Sequence, residues 1–209
     1  MKEKYTSGSK GRKFPIEVLT DKEVLALIGK CSPRCATGIR NRALIVILWR
    51  GMLRVAEALA LKQADFDGSS IRVLNGKGNK ARLVGIDPTA SAVVEAWATY
   101  RNEKLGFNGN NPFFCTLDGK PVQPVYVRNL MKRLASKAGI EKRVHPHGLR
   151  HTGASELLSE GMNIGIISKQ LGHSSIATTH RFINHINRLV GKKSVRQVLG
   201  RKLGSCTDG

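Results

Sequence analysis

Histidine and arginine side chains crowd into the last third of the chain at spacings that suit proton-transfer chemistry on an oxyanion. His147, Arg150 and His151 lie at helical spacing, and His173 and Arg181 follow downstream. A guanidinium presents its N–H donors in a fixed fork that matches phosphate oxygens, and an imidazole exchanges protons near neutral pH. The combination favours a phosphodiester as the substrate.

The net charge favours the same substrate class. The chain has 35 Lys and Arg residues against 15 Asp and Glu residues, a formal charge of +20 over 209 residues. Such an excess indicates a polyanionic partner rather than a surface that only maintains solubility. Aromatic residues make up only 5% of the chain, which argues against a single-strand binder that stacks bases. The predicted partner is double-stranded DNA.

Composition also limits the class of protein. Hydrophobic residues make up 41% of the chain, and no uninterrupted apolar run reaches the ~18 residues that would suggest a membrane span. Residues 1–13 are polar and basic and lack the apolar segment of a signal peptide. We therefore expect a cytoplasmic protein of one or two domains, associated with the nucleoid and without membrane contact.

No metal or other cofactor is predicted. The cysteines stand at positions 31, 35, 115 and 206 and lack the paired spacing of a zinc site, so they are interpreted as free thiols. His147 and His151 are at i and i+4 and could bind zinc on a helix face. The glutamate of such a zinc motif is absent, because position 148 is glycine.

The elements that position these residues are predicted to be mainly helical, in the α+β class with a small antiparallel hairpin. Thr20 and Glu23 have the spacing of a capping box, which starts the first helix. The predicted helices cover about residues 20–30, 37–50, 53–61, 87–104, 125–138, 149–160, 164–171, 174–182 and 186–199. Segment 112–115 is a candidate third strand.

The hairpin is predicted at residues 70–86. Apolar residues alternate with polar ones on both sides of a turn rich in Asn and Gly at residues 75–80. The turn carries Lys77 and Lys80, and Arg82 lies just beyond it. A lysine at a glycine-flanked tip can enter a DNA groove, and a solvated turn is an equal alternative.

Arg54 and Glu57 stand at i and i+3 on a short predicted helix, so the carboxylate can orient the guanidinium. Spacing alone favours the commoner case, a surface ion pair of little energetic value. The helix is predicted to bury four apolar side chains, those of Leu53, Ala56, Leu59 and Ala60.

Four segments together resemble the motifs of the tyrosine recombinases, the phage integrase family. Segment 51–57 is similar to the first arginine motif of that family, and segment 76–82 to its lysine hairpin. Segment 147–152 is similar to its His-x-x-Arg motif, and segment 171–175 to its downstream histidine motif. Each motif alone is weak, but four in the right order make the resemblance specific over about residues 20–190.

Members of this family cut DNA with a tyrosine hydroxyl, which leaves a 3′-phosphotyrosyl link and a free 5′-hydroxyl without ATP or metal. The resemblance implies that Arg54 and Arg150 neutralise the phosphorane oxygens and that Lys77 protonates the leaving oxygen. It further implies phosphate contacts and proton-transfer assistance from His147 and His173. Supporting positions are expected for Glu57, which would hold Arg54, and for His151; DNA contacts are expected from Lys80, Arg82, Arg128 and Lys132.

The chain departs from the family at the nucleophile. The expected tyrosine lies nine residues after His173, where this chain has Phe182, behind the sequence Thr178-Thr179-His180-Arg181. Phenylalanine lacks the attacking oxygen, and the tyrosines of the chain stand elsewhere, at positions 5, 100 and 126. Because the other matched residues are present, the favoured interpretation is a deliberate Tyr-to-Phe change that traps a DNA complex; a naturally inactive relative is the alternative.

Three parts are predicted: a basic flexible arm at residues 1–19, a catalytic domain at 20–185, and a C-terminal helix and tail at 186–209. Most members carry a further N-terminal helical domain, so a truncated form or, with mild preference, a naturally short member is expected. The resemblance also implies a tetramer on two DNA sites. The last helix would dock on a neighbouring protomer or, equally, on its own domain.

The leading prediction is therefore a site-specific recombinase of integrase, invertase or resolvase type, inactivated at its nucleophile. A non-catalytic architectural or regulatory DNA-binding protein on the same fold is the alternative from a different class. A type I topoisomerase of related mechanism is the third. The target sequence, the accessory factors and the choice among integration, excision and inversion stay open.

Overall fold

The computed structural model describes residues 17–74, 81–106, 109, 111–173 and 175–184. These residues form helices, a short 3-10 turn and a two-stranded antiparallel sheet, which confirms the mainly helical α+β prediction. The helices are α1 (Asp21–Gly29), α2 (Ala36–Trp49), α3 (Val55–Leu59), α4 (Pro88–Glu103), α5 (Pro124–Lys137), α6 (Pro146–Ser159), α7 (Ile164–Leu171) and α8 (176–184); the 3-10 turn is Gln63–Asp65, and the strands are β1 (Ser70–Val73) and β2 (Arg82–Gly85).

Side-chain caps determine where several helices begin. The predicted capping box is present: Thr20 accepts from the Glu23 N–H, and the Glu23 carboxylate accepts from the Thr20 N–H. At the start of α6 the cap is His145, whose Nδ1 accepts from the Gly148 N–H at 3.0 Å. An N-cap is usually Ser, Thr, Asp or Asn, and here an imidazole takes that role. Helix α6 therefore begins about three residues before the predicted start at Leu149.

Helix α2 forms the centre of the core. Its residues 43–49 are all apolar and buried, and α4 and α6 pack against it. The approach of α6 depends on Gly153, because a Cβ at this position would lie 2.0 Å from the Trp49 carbonyl oxygen. Helix α6 is thereby fixed against the end of α2, where the chain turns through residues 50–54 toward α3.

The hairpin places one cation on the inner face of the sheet. Strand β1 pairs with β2 in antiparallel register, with Ile71 opposite Val84 and Val73 opposite Arg82. Ile71, Val73 and Val84 are buried, as the alternation predicts. Arg82 shares their face and lies toward α7, which packs against β2. The tip with Lys77 and Lys80 lies outside the described residues.

Two local predictions are wrong. Segment 112–115 forms an isolated bridge between Cys115 and Pro121 rather than a strand. Leu53 is buried just before α3 and Ala58 within it, whereas Ala56 and Ala60 are exposed. The helix begins at Val55 instead of position 53, so its inward face is rotated relative to the predicted one.

The predicted arm and tail are described only in part. At the end of the arm Leu19 is buried, and its N–H donates to Thr152 Oγ1 at 3.0 Å, so residues 17–19 lie against α6. The predicted C-terminal helix 186–199 lies outside the described residues. Cys31, Cys35 and Cys115 are free thiols. In the part of the chain that the structure covers, no helix is long and apolar enough to span a bilayer.

Candidate functional site

Arg54 is oriented by a buried carboxylate. It is the N-cap residue of α3, and Glu57 accepts both the Arg54 backbone N–H, at 2.8 Å, and its Nη1, at 2.6 Å. The Glu57 side chain is 4% exposed and that of Arg54 28%. The surface ion pair that spacing alone favours is therefore the wrong interpretation. Glu57 holds the guanidinium in one place at the edge of the fold.

Arg82 binds the same carboxylate from the sheet. Its Nη1 and Nη2 donate to the two oxygens of Glu57 at 3.0 and 2.8 Å, and its Nε donates to the Gln170 carbonyl at 3.2 Å. Only 11% of its side chain is exposed. Three of its five N–H donors are thus used inside the protein, so the structure favours a supporting role for Arg82, and its predicted contact with DNA stays a prediction.

Arg150 is the most deeply buried of the site cations, with 1% of its side chain exposed. It donates from Nη1 to the Met52 carbonyl and from Nη2 to the Leu171 carbonyl, the latter at 2.5 Å. Met52 adopts a left-handed conformation with φ of 51°, unusual for a residue with a side chain. This backbone conformation directs the Met52 carbonyl group toward the Arg150 guanidinium.

These three arginines surround one carboxylate, and Arg150 Nη1 lies 3.9 Å from Glu57. Burial alone would raise the pKa of Glu57, but the hydrogen bonds from Arg82 and Arg54 and the charge of Arg82 outweigh it and lower the pKa to about 2. Burial and then the nearby Arg54 charge lower the pKa of Arg150 to about 9, which leaves it protonated at neutral pH. The cluster keeps an excess of positive charge.

Aromatic rings form the other side of the site. The His147 and His151 rings pack edge to face with centroids 4.4 Å apart, and His151 stacks on Phe182 at 4.2 Å with the planes tilted by 12°. Phe182 in turn meets the edge of His173 at 5.6 Å. His151 is buried, whereas His147 is exposed at the rim. Position 182 therefore lies between two of the predicted site histidines.

His173 contacts the hydroxyl group of Thr179, which in turn contacts that of Ser168. The Nδ1 atom of His173 lies 2.9 Å from Thr179 Oγ1, and Thr179 Oγ1 lies 2.9 Å from Ser168 Oγ. Both hydroxyl-bearing residues are buried. Loss of hydration, followed by the charges of Arg150 and Arg54, lowers the pKa of His173 to about 4. Loss of hydration, then the charge of Arg150, lowers the pKa of His147 to about 4.

The remaining predicted site residues lie away from this cluster or are not described. Arg128 and Lys132 are exposed along α5 and can reach a surface partner. Lys77 and Lys80 fall in the segment 75–80, outside the described residues. Sequence reasoning missed the inward placement of Arg82, although the period-two alternation puts it on the same strand face as Val84. It also missed the contact from Thr179, a residue that it used only to mark the motif.

Comparison with known proteins supplies the family. The sequence model of the phage integrase family matches residues 17–188. The chain belongs to the phage integrase family. Tyrosine recombinase XerC of Rhizobium meliloti (strain 1021) is 36% identical to this family member over 169 residues, which cover 78% of this chain and 52% of the relative. The chain thus spans about half the length of that curated relative.

Solved structures agree with the family assignment. The crystal structure of XerA recombinase matches this integrase-family chain with a TM-score of 0.70 and 28% identity, over 87% of this chain and 66% of the other. XerH site-specific recombinase, bound to its difH substrate in a pre-cleavage complex, matches with a TM-score of 0.67 and 29% identity, over 82% of this chain and 51% of the other. The fold is that of the tyrosine recombinases.

Proposed function

We propose that this chain is the catalytic domain of a site-specific tyrosine recombinase that binds duplex DNA and holds one phosphodiester in the site described above. The observation that carries the proposal is the grouping of Arg54, Arg150 and His147 around His173, whose ring contacts that of Phe182, with Glu57 holding the first arginine in place. Prepositioned cations of this kind stabilise charge that develops on phosphoryl oxygens.

Each residue is proposed to have a separate role. Arg54 and Arg150 bind the non-bridging oxygens, and His147 and His173 contact the same phosphate from the ring side. Lys77, on the hairpin, is proposed as the general acid for the leaving 5′-oxygen. Glu57 and Arg82 act on the phosphate only through the arginines that they orient. Arg128, Lys132 and Lys80 are proposed to contact the DNA backbone without reading sequence.

Phe182 stands at the proposed position of the nucleophile. Its ring lies beside His173 and on His151, where a tyrosine ring would fit the same contacts and add a hydroxyl. Without that oxygen the chain cannot form a phosphotyrosyl bond at this position. The otherwise complete site supports a deliberate Tyr-to-Phe change that stops the reaction before cleavage.

Restoring the hydroxyl tests the proposal. Duplexes that this chain binds are selected from a random pool, nicked near the bound site, and incubated with this chain and with its Phe182→Tyr variant. Denaturing electrophoresis is expected to show a covalent protein–DNA adduct with the variant alone. The matched control is Phe66→Tyr, which adds the same hydroxyl to a half-buried ring outside the site. No adduct with Phe182→Tyr on a tightly bound duplex would contradict the catalytic proposal.

A non-catalytic DNA-binding protein is the second candidate. The observation that favours it is the close stacking of Phe182 on His151, an apolar contact that needs no hydroxyl. This candidate predicts tight, salt-sensitive DNA binding by the chain and no adduct from Phe182→Tyr. The same gel therefore separates the two functions.

Assembly on DNA is part of the proposal. A recombinase joins two sites, so we propose a tetramer on two duplexes with the C-terminal segment 186–209 docked on a neighbouring protomer. Sedimentation of this chain with a selected duplex is expected to show species heavier than one protein on one duplex. A complex that stays monomeric on DNA at all protein concentrations would support a topoisomerase-like activity instead.

A further inference from the structure

The connection between α2 and α3, residues 50–54, supplies two groups of the proposed site. The Met52 carbonyl accepts a hydrogen bond from Nη1 of Arg150, and Arg54 is the N-cap residue of α3. Glu57 holds Arg54 at the far end of this connection. The near end, where α2 ends, is held by a second carboxylate of the protein.

Glu156 on α6 is that carboxylate. The indole Nε1 of Trp49 donates to its two oxygens, each at 2.8 Å, and Nη1 of Arg50 donates to Oε2 at 3.2 Å. Only 15% of the Glu156 side chain is exposed. The Arg50 guanidinium lies over the Trp49 ring at 4.3 Å and 3.6 Å from the carboxylate of Asp87, which caps α4. Glu156 therefore binds two consecutive side chains at the point where the connection begins.

Glu156 is one of three α6 residues that hold this stretch of chain. Arg150, Gly153 and Glu156 follow one another at i, i+3 and i+6, which places them on one ridge of the helix. Arg150 binds the Met52 carbonyl, and Glu156 binds the Trp49 indole. Between them, Gly153 lets the two backbones touch, because a Cβ there would lie 2.0 Å from the Trp49 carbonyl oxygen. The ridge thus fixes segment 49–52 at three successive points.

We propose that Glu156 is a positioning residue that places the Met52 carbonyl and Arg54 by holding the end of α2, an inference that rests on the proposed recombinase function. Met52 has a φ of 51°, and a side-chain-bearing residue keeps such a conformation only where its neighbours fix it on both sides. Buried Leu53 fixes one side, and Glu156, through Trp49, fixes the other. Without this anchor the connection relaxes, and the two site arginines no longer present their donors to one phosphate.

The first test measures the rate of adduct formation by the Phe182→Tyr chain on saturating nicked duplex at pH 7. Adding Glu156→Met keeps the length of the side chain but removes its acceptors, and is expected to slow the reaction about 10-fold, because misplaced groups lose rate. The Kd for the duplex is expected to change less than about 3-fold, since many phosphate contacts share the affinity. Glu160→Met, at an exposed position on the next turn, is the matched control and is expected to change neither.

Glu156→Gln provides the conservative rescue. Burial, followed by a hydrogen bond with Asp21, raises the pKa of Glu156 to about 7, so the carboxyl group is partly protonated under these conditions. Glutamine matches the uncharged form and keeps an acceptor for the Trp49 N–H, so it is expected to retain most of the rate. A contribution to stability alone would lower the urea midpoint of Glu156→Met and leave its rate on saturating duplex unchanged, which would overturn the inference.

Trp49→Phe attacks the same contact from the other side and serves if Glu156→Met does not fold. It removes the indole N–H but keeps an aromatic ring beneath Arg50. This change is expected to slow adduct formation about 3-fold by itself and to add nothing to the effect of Glu156→Met, because both remove one hydrogen bond. Independent effects that multiply in the double variant would contradict the proposed role.

The second test reads the connection without DNA and without cleavage. In NMR spectra, Glu156→Met is expected to shift the backbone amide signals of residues 51–54, whereas Glu160→Met is expected to leave them unchanged. Unshifted signals would overturn the inference. If Phe182→Tyr cleaves and Glu156→Met does not alter its rate, the inference fails while the recombinase function stands. If Phe182→Tyr never cleaves, the proposed function fails, and the amide signals still decide whether Glu156 holds the connection.

Discussion

The two halves of the site hold their polar groups by different means. In the arginine half, Arg54, Arg82 and Arg150 are bound by the Glu57 carboxylate and by backbone carbonyls at hydrogen-bond distance. In the ring half, His147, His151, His173 and Phe182 pack through their faces and edges, and the hydroxyl of Thr179 contacts one imidazole. The arginine half keeps its charge in the free protein, whereas His147 and His173 are neutral.

The difference follows from what each group loses on burial. A guanidinium stays protonated at neutral pH even where burial lowers its pKa, so the fold must supply a counterion and acceptors. An imidazole can release its proton, so burial near three arginines removes the charge. The arginine half therefore carries its positive charge in the free protein, as the proposed phosphate contact requires, whereas the ring half carries charge only when its histidines take up protons.

Removal of the Glu57 counterion should destabilise the arginine half of the site. Glu57→Gln keeps the shape of the side chain but leaves three arginines without a negative partner. We expect the free energy of unfolding to fall by about 3 kcal/mol or more, as for other broken buried ion pairs. Urea unfolding followed by circular dichroism measures the change.

A matched variant, Glu103→Gln on the exposed face of α4, is expected to change stability by less than about 0.5 kcal/mol. The pH dependence gives a further check on Glu57. Its pKa is lowered to about 2 from an ordinary value of 4.5, so its contribution is present above pH 4.5 and is lost as the pH falls through about 2. Equal acid sensitivity of the variant and the unchanged chain would contradict the role of Glu57.

A smaller loss of stability is expected when Arg82 is displaced within the arginine half of the site. Gly172 ends α7 with φ of 62°, and a Cβ there would lie 2.8 Å from the Arg82 guanidinium. Arg82 cannot move aside without losing its bonds to Glu57. Gly172→Ala is therefore expected to destabilise by about 1–2 kcal/mol from backbone strain, plus a further loss from the displaced guanidinium.

Gly139→Ala separates the cost of backbone strain from the cost of displacing the Arg82 guanidinium. Gly139 also has a positive φ, of 66°, but no atom lies within 4 Å of a Cβ at that position. It is expected to show the backbone strain alone. The difference between the two variants in urea midpoint measures the Arg82 contribution, and equal losses would show that the guanidinium moves freely.

The effect expected in the ring half depends on pH and falls in the mildly acidic range. The pKa of His147 and that of His173 are each lowered from 6.5 to about 4, so the unfolded chain binds protons that the folded chain does not. Stability should therefore be complete above about pH 6.5 and decline as the pH falls through about 4. Urea midpoints between pH 4 and 7 measure the decline.

His173→Gln is expected to flatten this profile. Phosphate or sulfate bound between the two halves would raise both histidine pKa values, so either anion should also flatten the profile of the unchanged chain. A profile that is the same with and without these additions would show that the two halves are not coupled.

Much of the fold could be predicted from local pattern. The capping box at Thr20 and Glu23, the Asp87-Pro88 helix start and the alternation in the hairpin all act through neighbouring residues, and the structure confirms each. The four motifs identified the family because their residue types and order are specific. The start of α6 was misplaced because a histidine cap is uncommon, and no local pattern distinguishes it.

The sequence by itself determined the family and the residue types of the proposed site, through the two arginine motifs, the histidines and the phenylalanine at position 182. Tertiary structure alone decided how they act. Glu57 is buried rather than solvated because β2 brings Arg82 onto it across 25 positions of sequence. Thr179 contacts His173 because α8 packs against α7 where Thr179 meets Ser168. Contacts between distant segments set burial and charge, and these depend on packing that no local spacing encodes.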